Sequence, residues 1–545
     1  MEERFGWLST SSAYLFGGHF AQLFAGTFLP YNLVEIASLQ ARVIMFETKN
    51  AQLEAQLQQL RNQLICLERP TFTYVLCLLQ LIVFVYIMAN SRIAPLGWTG
   101  ISEFHGKITV PNMTTAPICW VGFNNLWIGP KPQDFIRFGA FYPPCMRYDR
   151  LLHQAVVVRQ NTWDRNSVCC LHFNGRTCHQ TSRLLCQESS VINFTRVDQA
   201  KTLAGPVCGL DRNYCVKEKY AAGRVWSQTD VTKWPICEQS SSVWHIKDSA
   251  QHMLCEVTAH PCCIGIRGEC SLTTREHCQL ASGHFHPEAA LCSQVNCLQS
   301  VCGMSSFRQL ERPDQFYRLF TSLFIHAGFL HVSVSILFEL VFLRNMEERF
   351  GWLSTSSAYL FGGHFAQLFA GTFLPYNLSV GPSPALASCL GVQIMHQCLQ
   401  TRSMKERLVH AVMLLLIFIP GGYLPWLDNM AHLGGFLSGL LFYFVLLACQ
   451  HLLRCVNKQR FARHRNKKHN SKHTRGRFPA RKPVLYIVAS LWLLIFVILI
   501  ITFICLGSSL NCKFCTYLSY PPFAKDVFKF FSFDPAKGST CMINL

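Results

Sequence analysis

The sequence predicts an α-helical polytopic membrane protein with seven spans and a disulfide-rich luminal domain after the first span. Half of the 545 residues are hydrophobic, only 14% are charged, and the mean hydropathy is +0.20. This composition is typical of chains that cross a membrane several times. Seventeen of the 27 cysteines lie between Cys119 and Cys302, a density that indicates a disulfide framework in an oxidising lumen.

The positive charge of the chain supports the same topology. The formal net charge is +19, and its densest basic run, residues 458–482, lies between two hydrophobic stretches. Basic residues beside a membrane helix mark the cytosolic side, with binding of anionic lipid as a second interpretation. We therefore expect no nucleic-acid partner.

The N-terminal part contains a repeat and a heptad segment. Residues 1–33 are identical to residues 346–378, which indicates a recent duplication or an artefact of the gene assembly, and whether the copy enters the membrane stays open. In residues 34–69 apolar residues recur at heptad spacing, with Asn50 at an a position. This pattern predicts a cytosolic coiled coil and a homodimer whose register the asparagine fixes. The alternative is one amphipathic helix lying on the membrane.

Residues 70–89 form the first predicted transmembrane helix, a signal anchor that lies too deep in the chain for a signal peptide. Arg61 and Arg69 precede it and place the N-terminus in the cytosol. The cysteine-rich domain, residues 90–315, is then luminal, with glycosylation sequons at Asn112 and Asn193. It shows no triad, phosphate loop or paired carboxylates, which favours a binding or structural module.

The cysteines leave two questions about ligands and pairing. Cys512 and Cys515 form a C-x-x-C pair, but one pair without a second is a weak zinc signal, and a luminal setting favours a disulfide. We expect no metal and no cofactor. The odd number of cysteines in the cysteine-rich domain leaves one for the tail or for another chain.

Six further spans are predicted after the cysteine-rich domain. They divide the rest of the chain into a five-helix core (316–447), a basic cytosolic loop (448–483), a seventh helix (484–506) and a luminal tail (507–545). With the N-terminus inside, every basic loop falls on the cytosolic side. The spans are residues 316–343, 354–374, 380–399, 408–424, 430–447 and 484–506.

Polar residues within the five-helix core mark a candidate site, because such groups in spans normally face the bundle interior. Ser383 opens one helix and His432 lies on a later one, an order that resembles rhomboid intramembrane proteases. Gly435 and Gly439 predict close helix approach. The plain alternative for the histidines is hydrogen bonding across helices. The other polar or turn-forming positions are Tyr317, Arg318, His326, His331, Gly381 and Pro382.

The site departs from active rhomboids at two positions. The family's active members read G-x-S-G around the nucleophile and carry an asparagine four residues after the second histidine of the early helix. Here Pro384 replaces that glycine and Ser335 replaces that asparagine. Losing one oxyanion donor costs roughly a hundred- to a thousandfold in rate, and proline removes an N–H. Gly381-Pro382 resembles the inactive rhomboids, the iRhoms, so we expect no catalytic residue and no enzyme activity.

The cysteine-rich domain carries the most specific resemblance. Six motifs are similar, in order and spacing, to the iRhom homology domain. They are Asn125-Leu-Trp-Ile-Gly-Pro130, Pro144-Cys-Met-Arg147, Asp230-Val-Thr-Lys-Trp-Pro-Ile-Cys237, Pro261-Cys-Cys-Ile-Gly265, Leu291-Cys-Ser-Gln-Val-Asn-Cys297 and Pro313-Asp-Gln-Phe-Tyr-Arg318.

The resemblance implies a pseudoprotease that binds single-span membrane clients and controls their trafficking or degradation. It implies a location in the endoplasmic reticulum membrane, with the Golgi and the plasma membrane as further compartments. The implied clients are a sheddase metalloprotease, which is exported, and epidermal growth factor receptor ligands, whose secretion is regulated. The first alternative is an active rhomboid protease using Ser383 and His432. The second is a transporter or channel, for which the sequence shows no inverted hydropathy repeat.

Overall fold

The computed structural model describes most of the chain from Pro70 onward. The repeat, the heptads with Asn50, the sequon at Asn193, most of the basic loop and Cys541 lie outside the described residues, as does the side chain of Cys119. The described residues are 70–97, 101–172, 176–186, 205–219, 224–241, 245–246, 250–309, 311–400, 412, 418–464, 482–510 and 512–519.

The cysteine-rich domain follows the first helix and is built from short strands and short helices. The elements from this helix to strand β4 are α1 (Thr71–Asn90), β1 (Ile101–Thr109), β2 (Thr115–Phe123), α2 (Pro132–Arg137), α3 (Arg150–His153), α4 (Arg159–Asn166), β3 (Ser167–His172) and β4 (Thr177–Ser182). The later ones are β5 (Cys215–Lys219), β6 (Ile236–Ser240), α5 (Gln251–Leu254), β7 (Glu256–Val257), β8 (His260–Ile264), β9 (Glu269–Thr273), α6 (Arg275–Leu280), β10 (His284–Phe285) and α7 (Cys297–Cys302). Within the described residues these strands form four small sheets, ordered β1-β2, β3-β4-β7, β5-β6 and β10-β8-β9, in which only the β4–β7 pair is parallel.

Disulfides hold this domain together, because strands of two to nine residues enclose little apolar core. Among the described residues, eight bonds join sixteen of the domain's seventeen cysteines, and a ninth bond joins Cys512 to Cys515, which confirms the disulfides predicted there. Cys169, Cys178 and Cys208 lie close enough together to suggest a metal site, but each is disulfide-bonded and offers no thiolate. The pairs in the domain are Cys145–Cys302, Cys169–Cys208, Cys170–Cys186, Cys178–Cys255, Cys215–Cys237, Cys262–Cys278, Cys263–Cys297 and Cys270–Cys292.

The remaining helices form the membrane core. Among the described residues, four helices are long and apolar enough to cross a membrane, namely Thr71–Asn90, Phe329–Phe350, Asn429–Leu452 and Pro483–Leu506. The helices after the cysteine-rich domain are α8 (Arg318–Thr321), α9 (Phe329–Phe338), α10 (Arg344–Phe350), α11 (Trp352–Phe373), α12 (Ser383–Gln400), α13 (Ile419–Gly421), α14 (Asn429–His464), α15 (Lys482–Leu506) and α16 (Lys513–Ser519). A five-residue π-helical turn, Glu339–Leu343, joins α9 to α10.

Helices α11 and α12 lie where spans are predicted, yet their composition is less apolar than that of the four helices. The reason is their position, since they pack against each other and against α14 in the centre of the bundle. Thr355, Gln367 and Ser388 are buried there, so polar side chains face protein rather than lipid. The seven-span count stays a prediction, because most of span 408–424 lies outside the described residues.

Two predicted boundaries differ from the structure. The second span does not begin at residue 316, because the long helix starts only at Phe329 and continues to Phe350, into the segment between the predicted spans 316–343 and 354–374. Just before this helix, the Ala327 carbonyl accepts a hydrogen bond from the Asn125 side chain of the cysteine-rich domain instead of continuing a helix. The first part of the predicted basic loop, residues 448–483, is helical, since α14 runs on to His464.

Candidate functional site

Ser383 and His432 meet in the centre of the core. The Nε2 atom of His432 lies 2.9 Å from the Ser383 hydroxyl oxygen, and its Nδ1 atom lies 3.1 Å from the Phe418 carbonyl oxygen. A carbonyl only accepts, so the ring proton sits on Nδ1, and Nε2 is free to accept the serine proton. This is the arrangement in which a histidine activates a serine nucleophile. His432 is buried and Ser383 is half-buried.

Tight backbone contacts position the serine. Gly381 has φ +100°, and a Cβ atom there would lie 2.6 Å from Cε1 of His331, so the turn before α12 requires glycine for its conformation and for its space. Pro384 stands in the first turn of α12, where the helix needs no N–H. A Cβ at Gly435 would lie 2.3 Å from the Pro384 carbonyl oxygen, so α14 contacts α12 directly beside the Ser383–His432 pair.

The same close contact continues one turn along α14. A Cβ at Gly439 would lie 2.0 Å from the carbonyl oxygen of Ser388. Backbone contact of this kind requires small residues, as in other membrane helix pairs.

His331 lies on the other side of the serine turn. Its Nδ1 atom accepts a hydrogen bond from the Ala327 backbone N–H at 3.1 Å, so its remaining ring proton is on Nε2. That nitrogen would lie 2.9 Å from a Cβ at Gly381, which places an N–H donor beside the serine turn. The ring of His326 packs edge-on against His331 at 5.2 Å. Ser335 is buried one helical turn after His331 on α9.

A segment of the cysteine-rich domain lies on this site. We call residues 125–130 the cover segment. The Trp127 ring lies 5.0 Å from the His331 ring, and its Nε1–H donates to the Pro425 carbonyl oxygen at 2.9 Å. A Cβ at Gly328 would lie 2.2 Å from the Trp127 carbonyl oxygen. The cover segment therefore bridges His331 and the loop that precedes α14.

The cover segment also completes the start of α9. The first N–H groups of a helix have no partner within it, and here Phe329 N–H donates to the Ile128 carbonyl at 3.0 Å and Leu330 N–H to the Trp127 carbonyl at 3.2 Å. The Asn125 side-chain amide donates to the Ala327 carbonyl at 2.7 Å. These bonds explain why the long helix begins at Phe329 rather than near residue 316.

Two buried arginines fasten the cysteine-rich domain to the core. Arg318 donates to the carbonyl oxygens of Ile136 and Ala140 at 2.6 and 3.0 Å, to the Cys302 carbonyl, and to the side chain of Gln315 at 2.8 Å. These bonds use the planar fork of a guanidinium.

Arg147 donates to the carbonyls of Gly371 and Phe503 at 2.9 and 2.6 Å. Its charge also stands 4.2 Å over the Phe503 ring. It therefore links the cysteine-rich domain to both α11 and α15.

Two buried carboxylates hold α1 against the core. Glu339 accepts a hydrogen bond from Gln80 at 2.8 Å, and Glu347 accepts from the backbone N–H and hydroxyl of Thr73 at 2.8 and 2.7 Å. Glu347 also accepts from Phe72 N–H at 2.8 Å, so it caps the first turn of α1.

The comparisons with known proteins agree with this architecture. Residues 313–449 match the Rhomboid domain family. Inactive rhomboid protein 2 of Homo sapiens is 37% identical over 396 residues, covering 70% of this chain and 45% of the relative. Inactive rhomboid protein 1 of Danio rerio is 34% identical over 442 residues, covering 78% of this chain and 50% of the relative. The chain belongs to the inactive rhomboid family. It spans about half the length of these curated relatives.

In this inactive rhomboid, the fold brings together most of the residues selected from the sequence. Gly381, Ser383, His331 and His432 meet at one point, with Pro382, Pro384, Ser335 and Gly435 next to them. Asn112 lies elsewhere, exposed at the tip of the β1–β2 hairpin.

Several residues that join the parts of the molecule have no role predicted from the sequence. Trp127 and Arg147 lie within the family motifs without a predicted contact, and Gln80, Glu339 and Glu347 are not among the predicted site residues. An amide or a carboxylate within or beside a predicted span is itself a signal of a buried polar contact. That signal was available for Gln80 and Glu339, whereas nothing local to residues 125–130 shows that they lie on the site.

Proposed function

We propose that this inactive rhomboid binds single-span membrane clients and controls their trafficking or degradation without cutting them. The observation that carries the proposal is the altered setting of an otherwise formed serine–histidine pair. Pro384 and Ser335 stand where active rhomboids have a glycine and an oxyanion-donating asparagine. A missing oxyanion donor lowers the rate roughly a hundred- to a thousandfold, which removes useful proteolysis while leaving the fold intact.

The joint between the two parts of the chain supports a scaffold role. A single-span client presents one transmembrane helix and one domain beside the membrane, and this chain presents a helical core and a cysteine-rich domain fastened to it. The cover segment, Arg147 and Arg318 fix these two parts to each other. Two weak contacts made by one rigid scaffold reinforce each other, because binding of one part raises the effective concentration of the other.

The core also has the chemistry to recognise a helix. Lipid provides no driving force that separates one apolar helix from another, so specific recognition within a bilayer depends on small and polar residues. By this argument, and by the family resemblance, the clients are a sheddase metalloprotease and epidermal growth factor receptor ligands. The proposed compartment is the endoplasmic reticulum membrane, with the Golgi and the plasma membrane as later stations.

We infer seven spans, a luminal cysteine-rich domain glycosylated at Asn112 and Asn193, and a cytosolic homodimer through residues 34–69 with Asn50 in the seam. The bond between Cys512 and Cys515 is consistent with an oxidising compartment for the tail.

The test is a paired assay in cells that lack their own inactive rhomboids. The unaltered chain and its Ser383→Ala variant are each expressed with a tagged single-span client, and client size and surface arrival are measured together. We expect the two forms to retain, export or degrade the client equally and to produce no fragment cut within its span. A fragment that requires Ser383 would identify a protease instead.

A double variant sharpens this result. Pro384→Gly with Ser335→Asn restores the sequence of active rhomboids at both departures. Cleavage by the double variant and not by the unaltered chain would show that these two positions account for the inactivity. The matched control is Ser356→Ala, which changes a half-buried serine on α11 whose hydroxyl donates to the Leu353 carbonyl oxygen of its own helix.

A further inference from the structure

Three polar side chains of the cysteine-rich domain meet in the geometry of a serine–histidine–carboxylate triad. The Nδ1 atom of His286 lies 2.8 Å from a carboxylate oxygen of Glu288, and its Nε2 atom lies 3.1 Å from the Ser300 hydroxyl oxygen. A carboxylate only accepts, so in the neutral imidazole the proton sits on Nδ1 and Nε2 accepts from the serine. A second acceptor near this hydroxyl, the Asn296 carbonyl, lies farther away, at 3.3 Å. The glutamate therefore orients the histidine toward the serine.

The sequence of this domain predicts no triad, and the fold corrects that expectation. His286 and Ser300 are 14 positions apart in the chain, a spacing that is no signature, because triads are recognised by geometry and roles rather than by sequence position. Burial does not force the arrangement either. Neither His286 nor Ser300 is fully buried, and Glu288 is exposed, so water could satisfy each group without the other two.

One strand holds the histidine and the serine in place. Ser300 lies on α7, whose first residue, Cys297, is disulfide-bonded to Cys263 of β8. His286 follows β10, which pairs with β8, and its backbone N–H donates to the Pro261 carbonyl at 2.9 Å. Functional side chains need such support from rigid elements to keep a productive geometry.

The three side chains lie at a pocket. His286, Glu288 and Ser300 all line a cavity of about 240 Å³. Lys219 also lines it, and because Lys219 and Glu288 are exposed, the cavity opens to solvent beside the triad. Its volume is below the roughly 300–1,000 Å³ of sites for drug-sized ligands, which indicates a small ligand.

The chemistry of the pocket favours a negatively charged ligand with a small apolar part. The lining residues include two basic side chains, Lys219 and Arg224, and one acidic side chain, Glu288. Arg224 donates to two backbone carbonyls, which hold its charge in place. Trp234 and Ile236 supply apolar surface.

We propose that Ser300, His286 and Glu288 form a hydrolytic site for small anionic acyl esters in the cysteine-rich domain. A bond forms between Ser300 Oγ and the ester carbonyl carbon, and the bond from that carbon to the alcohol oxygen breaks. The hydroxyl proton passes to His286 Nε2 and then to the leaving alcohol. Water attacks the acyl-serine by the same route and releases the acid. Ser300 and His286 are the catalytic residues, and Glu288 is a positioning residue.

This inference goes beyond client control and does not rest on it. Binding and trafficking of a client need no reaction at Ser300, so the cell assay and the assays below fail independently. The readouts are client size and surface arrival in one case and a covalent mass change on one peptide in the other.

The first experiment labels the full-length Ser383→Ala chain, purified in detergent, with a short alkyl fluorophosphonate, so that the core serine gives no signal. The bond from Ser300 Oγ to phosphorus forms, the phosphorus–fluorine bond breaks, and fluoride leaves. We expect mass spectrometry to locate the label on Ser300, at a rate roughly a hundredfold or more above that of Ser282. Ser282 is the internal reference, because it is exposed and bonds to Lys131 rather than to a histidine.

Two variants test the roles of the partners. His286→Ala should slow the labelling of Ser300 roughly a hundredfold or more, the contribution of a general base, and added imidazole should restore part of the rate. Glu288→Gln removes the charge that keeps the proton on Nδ1. It should lower the maximal labelling rate roughly tenfold or more and leave the half-saturating probe concentration unchanged.

A role in folding alone predicts neither the rescue by imidazole nor the unchanged half-saturating concentration. Apparent unfolding temperatures and non-reducing gels identify variants that are not folded. If His286→Ala is among them, Glu288→Gln carries the test, because it changes an exposed side chain without changing its size.

The substrate class is tested with two acetyl esters, para-nitrophenyl acetate and an analogue that carries a carboxylate on its ring. We expect an acetyl group on Ser300 with both esters and faster turnover of the anionic one. Lys219→Gln should reduce this preference about two- to fivefold, the effect of one exposed charge. Lys217→Gln is the matched control, because Lys217 is exposed and pairs with Glu238.

Four results would overturn the proposal. The first is a folded chain in which Ser300 takes no label. The second is equal labelling of Ser300 and Ser282, which would mean exposure without activation. The third is labelling of Ser300 that neither His286→Ala nor Glu288→Gln slows. The fourth is equal turnover of the two esters, which would remove the anionic substrate class.

Discussion

Gly435→Ala is expected to separate α12 from α14 at the point where the serine–histidine pair forms. The added Cβ would lie 2.3 Å from the Pro384 carbonyl oxygen, about an ångström inside the 3.4 Å at which ordinary contact begins. The atom it meets is backbone, which cannot rotate away as a side chain can. The helices must therefore move apart, and the Ser383–His432 distance of 2.9 Å lengthens with them.

The expected cost follows from that geometry. Overpacking a tight site costs typically about 1–3 kcal/mol, and the upper part of this range applies because the contact is with backbone. Replacing glycine by alanine in a helix returns about 1 kcal/mol. We therefore expect a net destabilisation of about 1–2 kcal/mol.

The assay is the apparent unfolding temperature of the purified chain in detergent, followed by tryptophan fluorescence. Gly421→Ala is the matched control, because a Cβ there meets nothing within 4 Å and only the helix-propensity gain applies. The reasoning would be refuted if Gly435→Ala were as stable as Gly421→Ala, since the close approach of α12 and α14 could then not be real.

Three further predictions concern the joints between the parts of the chain. Glu347→Ala should destabilise the protein by about 1–3 kcal/mol in thermal unfolding, because it leaves the Thr73 and Phe72 N–H groups unpaired. Its control is Glu348→Ala, which removes an exposed pair with Arg344 and should change the stability little. Equal effects of the two variants would contradict the capping role of Glu347. Arg318→Lys should lower the yield of folded, disulfide-bonded chain on non-reducing gels, because lysine cannot reproduce four hydrogen bonds made by a planar guanidinium. Arg308→Lys at the exposed surface is its control. An unchanged yield for Arg318→Lys would contradict the proposal that Arg318 fastens the cysteine-rich domain to the core. Burial raises the pKa of Asp164 to about 6, so the folded state disfavours the ionised carboxylate. Between about pH 4 and 6 the unfolded chain loses this proton while the folded chain keeps it. The contribution of Asp164 to the free energy of unfolding should therefore fall by about 1.4 kcal/mol per pH unit as the pH rises through this range. Asp164→Asn should remove this slope in pH-dependent unfolding of the full chain. The measured quantity is the difference in unfolding free energy between the unaltered chain and Asp164→Asn at each pH, because burial lowers the pKa of His179 to about 4 and gives both proteins a slope of opposite sign. Parallel stability curves for the two proteins would refute the role of Asp164.

Prediction from sequence succeeded where a local pattern is enough. Hydrophobic length located α1 and α15 to within a few residues, and the predicted spans 354–374 and 380–399 match α11 and α12 closely. The serine and histidine of the candidate site were selected because polar residues in a span need a protein partner. The cysteine density predicted disulfides correctly, but the pairing of sixteen cysteines is not a local property.

The start of the second long helix shows where local patterns fail. Residues 316–328 are apolar enough to join the span, but the Ala327 carbonyl accepts from the Asn125 side chain and the Arg318 guanidinium donates to carbonyls of the cysteine-rich domain. The first N–H groups of the long helix then donate to the cover segment. Asn125 and Ala327 are 202 positions apart in the chain. No window of sequence around either residue contains the other, so hydropathy extended the helix too far.

The sequence by itself determined the membrane helices, the cysteine-rich domain, the serine–histidine pair and the two substitutions that set it apart from active rhomboids. The first three follow from composition, from spacing and from residue chemistry, which are properties of short stretches, and the two substitutions follow from the resemblance to active rhomboids. Only the tertiary structure decided that the histidine accepts from the serine at bonding distance, that glycine contacts set that distance, and that Trp127 lies over His331. Such contacts depend on how helices and loops distant in the chain pack against one another, and packing is fixed by the fit of whole surfaces rather than by any one segment.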